Sequence, residues 1–257
     1  DQQGFNSEEY ESWKCVAEVI KRDKTNNEYD FCINTGDATQ NGNRINEWVD
    51  YFNGGNVLFS ECEQMYTVGN NDLCPEDVYT LGYGSADIDK INPINVQYFF
   101  TFEHPNTIPI AASGTYVPCV YSFIYGNTYF LSMNSEISES SRTTIFKDVD
   151  GGTKIYEALQ AWCESDLTYY SADTKIAWKV AFCHEAPFTI ITADTIMSYA
   201  KSDGLDGFII NSGIKRGGSR LNTVGNYWFS QFLQNNGFKL CMCGHKHTYS
   251  NSRYVRE

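Results

Sequence analysis

Four short pieces of the chain each follow directly on an apolar, strand-like run: Asn34-Thr35-Gly36-Asp37, Val68-Gly69-Asn70-Asn71-Asp72, Cys183-His184-Glu185 and Gly244-His245-Lys246-His247. Three of the four histidines in the 257 residues fall inside them. Polar groups placed at strand ends meet when the strands finish on one edge of a sheet, however far apart they lie in sequence. That constrains the chain to layered α/β architectures. Carboxylate, amide and imidazole groups gathered at one such edge form the donor set of a two-metal hydrolytic site.

The intervening pattern agrees. Glu8 to Lys21 reads as an amphipathic helix, with Tyr10, Trp13, Ala17 and Ile20 on one face after an Asn6/Glu9 capping-box-like start. Tyr29 to Asn34 and Met65 to Val68 read as strands, separated by a helix with Ile45, Trp48, Val49 and Phe52 on one face. Cys119 to Tyr125 and Thr128 to Asn134 flank Gly126-Asn127, a two-residue hairpin signal. Ile155, Ala158, Leu159 and Trp162 mark a third helix, and Lys175 to Cys183 a strand delivering His184. Trp228, Phe229, Phe232 and Leu233 mark a late helix stopped near Gly237, before a strand from Phe238 to Cys243. Leu73 to Pro118, rich in Pro, Gly and Tyr, reads as long loops framing the site. The expectation is one domain over residues 1–257 with mixed sheets layered with helices.

Taken singly, most of the four pieces are ordinary. A Gly36-Asp37 pair is usually a turn or cap, Asn70 a turn residue, and a lone His184 a structural histidine. His245 and His247 are more specific, because a turn at Gly244 lets both rings face one point. Cys241, Cys243, His245 and His247 also suggest a structural zinc, but an unbroken strand would spread them over about 20 Å. A turn at Gly244 frees the histidines and leaves the cysteines in the sheet.

The formal charge of −13 and a pI near 4.7 oppose a nucleic-acid partner, since a polyanion is repelled at long range. No apolar run approaches the roughly 20 residues that span a membrane, and no signal pattern opens the chain. The nine cysteines are odd in number, and Cys32, Cys183, Cys241 and Cys243 sit in strand-like runs. Buried free thiols in a reducing compartment, cytoplasmic or within a virion component, are expected. The lack of Asn-X-Ser/Thr sequons points the same way. The chain opens at Asp1 rather than Met, as expected for a piece of a longer polypeptide or assembly.

In order and spacing these motifs resemble the calcineurin-like metallophosphoesterase superfamily, and most closely its purple-acid-phosphatase-like branch. The likeness runs almost end to end. Gly36-Asp37 through Asn41-Gly42 looks like the family's second motif, Gly69-Asn70 its third, His184 its fourth and Gly244-His245-Lys246-His247 its fifth. Val120 to Phe130 looks like the branch's central hairpin, and His247-Thr248-Tyr249-Ser250 like its end. Asp1-Gln2-Gln3 stands where the first motif, Asp-X-His, belongs, with Gln3 in the His position and the first strand upstream of the chain. The resemblance implies a four-layer sandwich of two mixed β-sheets flanked by helices. It implies two divalent or trivalent ions (manganese, iron or zinc), one held by Asp1, Asp37 and His247, the other by Asp37, Asn70, His184 and His245. Gln3 would add an amide oxygen to the first.

The resemblance further implies a phosphoester hydrolase in which a hydroxide bridging the two metals attacks phosphorus in line. Two departures matter. Gln40 stands where the purple acid phosphatases carry an iron-ligating Tyr. Asn71 stands where the third motif carries the His that helps the leaving group depart. A neutral amide donates a hydrogen bond but cannot deliver a proton at neutral pH. General acid catalysis is worth about 10²–10⁴-fold, so slow turnover of alkyl esters is expected unless Asp72, Glu185 or His104 substitutes. The alternative is a degenerate phosphoesterase-fold domain acting as a binding or assembly module. No Gly-X-Ser-X-Gly elbow, Gly-X-Gly-X-X-Gly turn or Walker-type loop points to another class.

Overall fold

The computed structural model describes residues 2, 8, 10–24, 29–73, 94–102, 104–106, 119–135, 153–172, 175–184 and 232–245. In chain order the elements are α1 (Tyr10–Lys24), β1 (Phe31–Asn34), α2 (Ile45–Phe59), β2 (Glu63–Tyr66), α3 (Ile94–Phe99), β3 (His104–Pro105), β4 (Tyr121–Tyr125), β5 (Thr128–Ser132), α4 (Thr153–Ser171), β6 (Trp178–Cys183) and β7 (Leu240–Cys243). β1 and β2 pair in parallel. The second sheet has the order β3-β4-β5-β6-β7, antiparallel through β5 and parallel from β5 to β7.

Side-chain alternation along these strands builds the layers. Phe31, Ile33 and Met65 of the small sheet face Tyr121, Phe123, Phe130, Phe182 and Met242 of the large one, forming the core between sheets. The opposite parity of the small sheet, Cys32 and Tyr66, packs on Tyr10, Trp13, Ala17, Trp48 and Tyr51 of α1 and α2. The opposite parity of the large sheet, Tyr129, Leu131, Ala181, Cys183, Cys241 and Cys243, packs on Cys163 and Leu167 of α4 and on Phe232 and Leu233. The result is two sheets between helical layers, as the family resemblance implies.

Several boundaries move for physical reasons. The second strand covers Glu63–Tyr66, not Met65–Val68, because its partner β1 ends at Asn34 before the chain turns at Gly36 (φ 95°). Thr67 and Val68 leave the ladder, although the Thr67 N–H still reaches Asn34 O. The hairpin's first strand begins after Cys119, whose φ of 56° turns the chain. Of the expected face of α2, Trp48 is buried and Phe52 packs on the core, but Ile45 and Val49 do not belong to the buried stripe. It runs through Glu47, Trp48, Tyr51, Gly54, Gly55 and Leu58, leaving Ile45 and Val49 about half exposed. The helix is rotated to bring Gly54 against Trp13 of α1 and to anchor Glu47 in the preceding loop. Within 73–118, where loops are expected, α3 and β3 form. Val96, Phe99 and Phe100, spaced by three and one, pack on the aromatic cluster of Trp48, Phe52 and Tyr66.

The late helix is described only over 232–235. It closes as expected at Gly237 (φ 73°), with the Phe238 N–H on Leu233 O and the Gly237 N–H on Gln234 O, a Schellman motif. The eight described cysteines are all free thiols. Among the described residues no helix is long and apolar enough to cross a membrane.

Candidate metal centre

β1, β2, β6 and β7 all end on the same edge. The small sheet contributes two loops, Gly36-Asp37 and Gly69 to Asp72, which interlock backbone to backbone. A Cβ on Gly36 would stand 2.6 Å from the Gly69 nitrogen, and a Cβ on Gly69 would stand 2.2 Å from Asp37 Oδ1. The Asn34 side chain steadies the first turn, accepting from the Gly36 N–H (2.9 Å) and donating to the Tyr51 hydroxyl (2.9 Å) and to Gln2 Oε1 (3.0 Å). Asp37 itself takes a left-handed φ of 56°, unusual for a residue with a Cβ.

Asp72 lies beneath these loops, fully buried. One of its carboxylate oxygens accepts from the Asp37 N–H (2.9 Å), the Gly69 N–H (2.8 Å) and the Tyr66 hydroxyl (2.5 Å). The other accepts from the N–H and hydroxyl of Thr39 (3.1 and 3.2 Å). Burial and the nearby Asp37 charge push the carboxyl up to about 6, against the pull of these donors. Asp72 therefore ties the loops together from behind.

The large sheet contributes His184, just past β6, and His245, just past β7 (φ 72°). The Gly244 N–H donates to His184 O (2.9 Å), carrying the β6–β7 ladder one step beyond the strands. His184 Nδ1–H donates to Thr35 O at 2.8 Å, and this fixes the tautomer. In the neutral ring Nε2 then presents a lone pair to Asp37 Oδ2 (3.2 Å), Asn70 Oδ1 (3.2 Å) and His245 Nδ1 (3.1 Å). Four electron-rich atoms converge with no proton guaranteed among them, and a cation relieves that repulsion. Imidazole, carboxylate and amide oxygen suit a borderline ion such as zinc, manganese or iron. Ligand atoms of Asp37, His184 and His245 all lie within 4.8 Å of one another.

Asp37 is desolvated by burial, which raises its pKa. The Asn71 hydrogen bonds and, when its ring is protonated, the charge of His184 outweigh this and hold it at about 2. Asn71 clamps the carboxylate through its N–H to Oδ1 and its amide to Oδ2, both at 2.8 Å. The amide oxygen of Asn71 in turn accepts from Gln40 Nε2 at 3.1 Å. The two positions that depart from the purple-acid-phosphatase pattern thus touch each other.

Of the predicted residues, the structure brings Asp37, Asn70, Asn71, His184 and His245 together, with Asp72 behind them. His104 lies on β3 with its ring against Tyr170 of α4, outside the cluster. Asp1, Gln3, Glu185 and His247 lie outside the described residues. Gln2, between Asp1 and Gln3 in sequence, donates its N–H to Asp37 O at 2.9 Å. Sequence reasoning missed Glu47, whose carboxylate caps the Gln40 and Asn41 N–H groups at 2.9 and 2.7 Å. An acid in the first turn of a helix, just after Asn41-Gly42, was the available signal. It also missed the Thr35 carbonyl, which no side-chain pattern announces.

Two sheets between helices, with this donor set at the shared strand ends, define the metallophosphoesterase architecture. The sequence matches the calcineurin-like phosphoesterase family over residues 8–249, and the chain belongs to that family. Its fold is similar to that of purple acid phosphatase PPD1 from seeds of yellow lupin (Lupinus luteus), with a TM-score of 0.53 at 16% identity. The match covers 91% of this chain and 33% of the lupin chain, so this chain spans about a third of that protein's length. Comparison with curated proteins finds no match. Family and fold give the chain the architecture of the calcineurin-like phosphoesterases.

Proposed function

We propose that the chain hydrolyses small phosphoesters at a dinuclear metal centre. The observation that carries this reading is the convergence of Asp37, Asn70 and His245 on the lone pair of His184. These four residues would hold one ion, with Asp37 shared. Asp1, Gln3 and His247 would complete the other, a reading supported by the contact of Gln2 with Asp37. When bound, the ions supply positive charge for the phosphoryl oxygens and acidify water for attack at phosphorus.

The protein's own contribution is orientation. Thr35 O fixes the His184 tautomer, and Asn71 fixes the Asp37 carboxylate. Asn71 offers no proton to a leaving group, so departure depends on the leaving group's own acidity. The net charge of −13 favours a small substrate over a nucleic acid.

The contact between Gln40 and Asn71 also favours a second reading, a binding or assembly module that keeps the donor set without turnover. Elemental mass spectrometry on protein purified without chelators, followed by a series of esters of graded leaving-group pKa, separates the two. Two equivalents of metal and a rate falling steeply with leaving-group pKa are expected. A flat series would mean that another acid acts. No metal, even after reconstitution, would sink the enzyme reading and leave the module.

A further inference from the structure

On the α4-facing side of the large sheet, three cysteines meet. Cys183 and Cys243 are register partners across β6 and β7, and their sulfurs lie 3.6 Å apart. Cys241, two residues back along β7 on the same face, brings its sulfur to 3.6 Å from that of Cys243. The three sulfurs lie within 4.8 Å of one another. A point equidistant from sulfurs so spaced is about 2.1–2.4 Å from each, which brackets the ~2.3 Å zinc–thiolate bond. The three belong to an apolar cluster that also holds Cys163, Leu167, Leu233 and Phe238.

From this geometry we infer a second metal site, separate from the dinuclear centre: a thiolate-only site on Cys183, Cys241 and Cys243 that takes one thiophilic d10 cation of the zinc, cadmium or copper(I) class. Ligand softness separates the two sites, since sulfur alone selects such ions while the oxygen and imidazole donors beyond the strand ends accept manganese or iron as well. The site is structural. It includes the last residues of the two strands that present His184 and His245, and an ion there staples β6 to β7 one residue before His184 and two before His245. Binding displaces thiol protons to the buffer, as any thiolate site must. The zinc pattern suggested by Cys241, Cys243, His245 and His247 is thereby resolved differently: the two cysteines join Cys183 from the neighbouring strand, and His245 turns away to the other site.

The test uses the full chain, reduced with a phosphine and stripped of metal, titrated with Cd²⁺ and followed by the ultraviolet cadmium–thiolate charge-transfer band. The band is expected to saturate at one Cd²⁺ per chain, to disappear in Cys241→Val, and to persist in Asp37→Ala, where the dinuclear centre is broken. No band at one equivalent, or an unchanged band in Cys241→Val, would overturn the inference. Should Cys241→Val fail to fold, X-ray absorption on the wild-type chain at one equivalent of Cd²⁺ decides alone. Three sulfur neighbours are expected, and a shell of oxygen and nitrogen only would refute the site.

Discussion

The wall of the site that carries Asp37 and Asn70 is made of loops, whereas the wall that carries His184 and His245 is made of strand ends. The loop wall holds itself by polar contacts: Asp72 alone accepts from five groups, and two glycines let the loops interlock. The strand wall needs few such contacts, since the β6–β7 ladder and an apolar underside already fix where each histidine emerges. Precision from hydrogen bonds is sensitive to single atoms, because a buried donor left alone costs about 1–3 kcal/mol. Precision from a ladder is shared over many residues and tolerates local change.

The largest expected effect comes from the loop-wall residue that reaches across to His184. Asp37→Ala should lower metal affinity by more than the ~10–100-fold that loss of an outer partner costs, and bring ester hydrolysis to background. Calorimetric metal titration and an aryl phosphate assay check it, and retained affinity would refute the shared-ligand assignment. Gly69→Ala is next on the loop wall. Its methyl would meet Asp37 Oδ1, and a loss of about 3 kcal/mol is expected by denaturant unfolding. Asp72→Ala leaves several buried donors unpaired and should cost about 2–3 kcal/mol, with metal affinity falling alongside. A change in stability alone would show that the loops hold their shape without it. The smallest effect belongs to the sheet behind the strand wall. Tyr129→Phe removes the hydrogen bond to Asp166 (2.7 Å) and should cost about 1 kcal/mol with metal content unchanged. Metal loss there would erase the contrast between the walls.

The same contrast explains what could be read in advance. Strand-borne features were legible because pleat parity and the Gly-His and Gly-Asp punctuation are local signals. The convergence of Asp37, Asn70, His184 and His245 followed from strands ending on one edge. The loop wall was legible only in its endpoints. That Asp72 turns inward to bind the Asp37 and Gly69 amides, rather than outward as an acid, depends on backbone geometry over residues 36–39 that no spacing encodes. The α2 face was misjudged because Glu47 looks like a surface acid until the loop it caps is in place. The cysteine trio escaped because its third member comes from a strand 60 residues away.

The site's most distant bond carries a consequence for how the molecule comes to exist. His184 and Thr35 are 149 residues apart, and His184 and Asn70 are 114 apart. His245 arrives later still, just past β7, the last described strand of the larger sheet. Contacts of such separation pay their loop-closure entropy before they return anything, and they form late. During synthesis the segment through Asp72 can lay down α1, β1, α2 and β2 with both loops, yet it contains no histidine to place beside Asp37. The cluster closes only after β7 docks, so the four groups are not all together until His245 has reached His184.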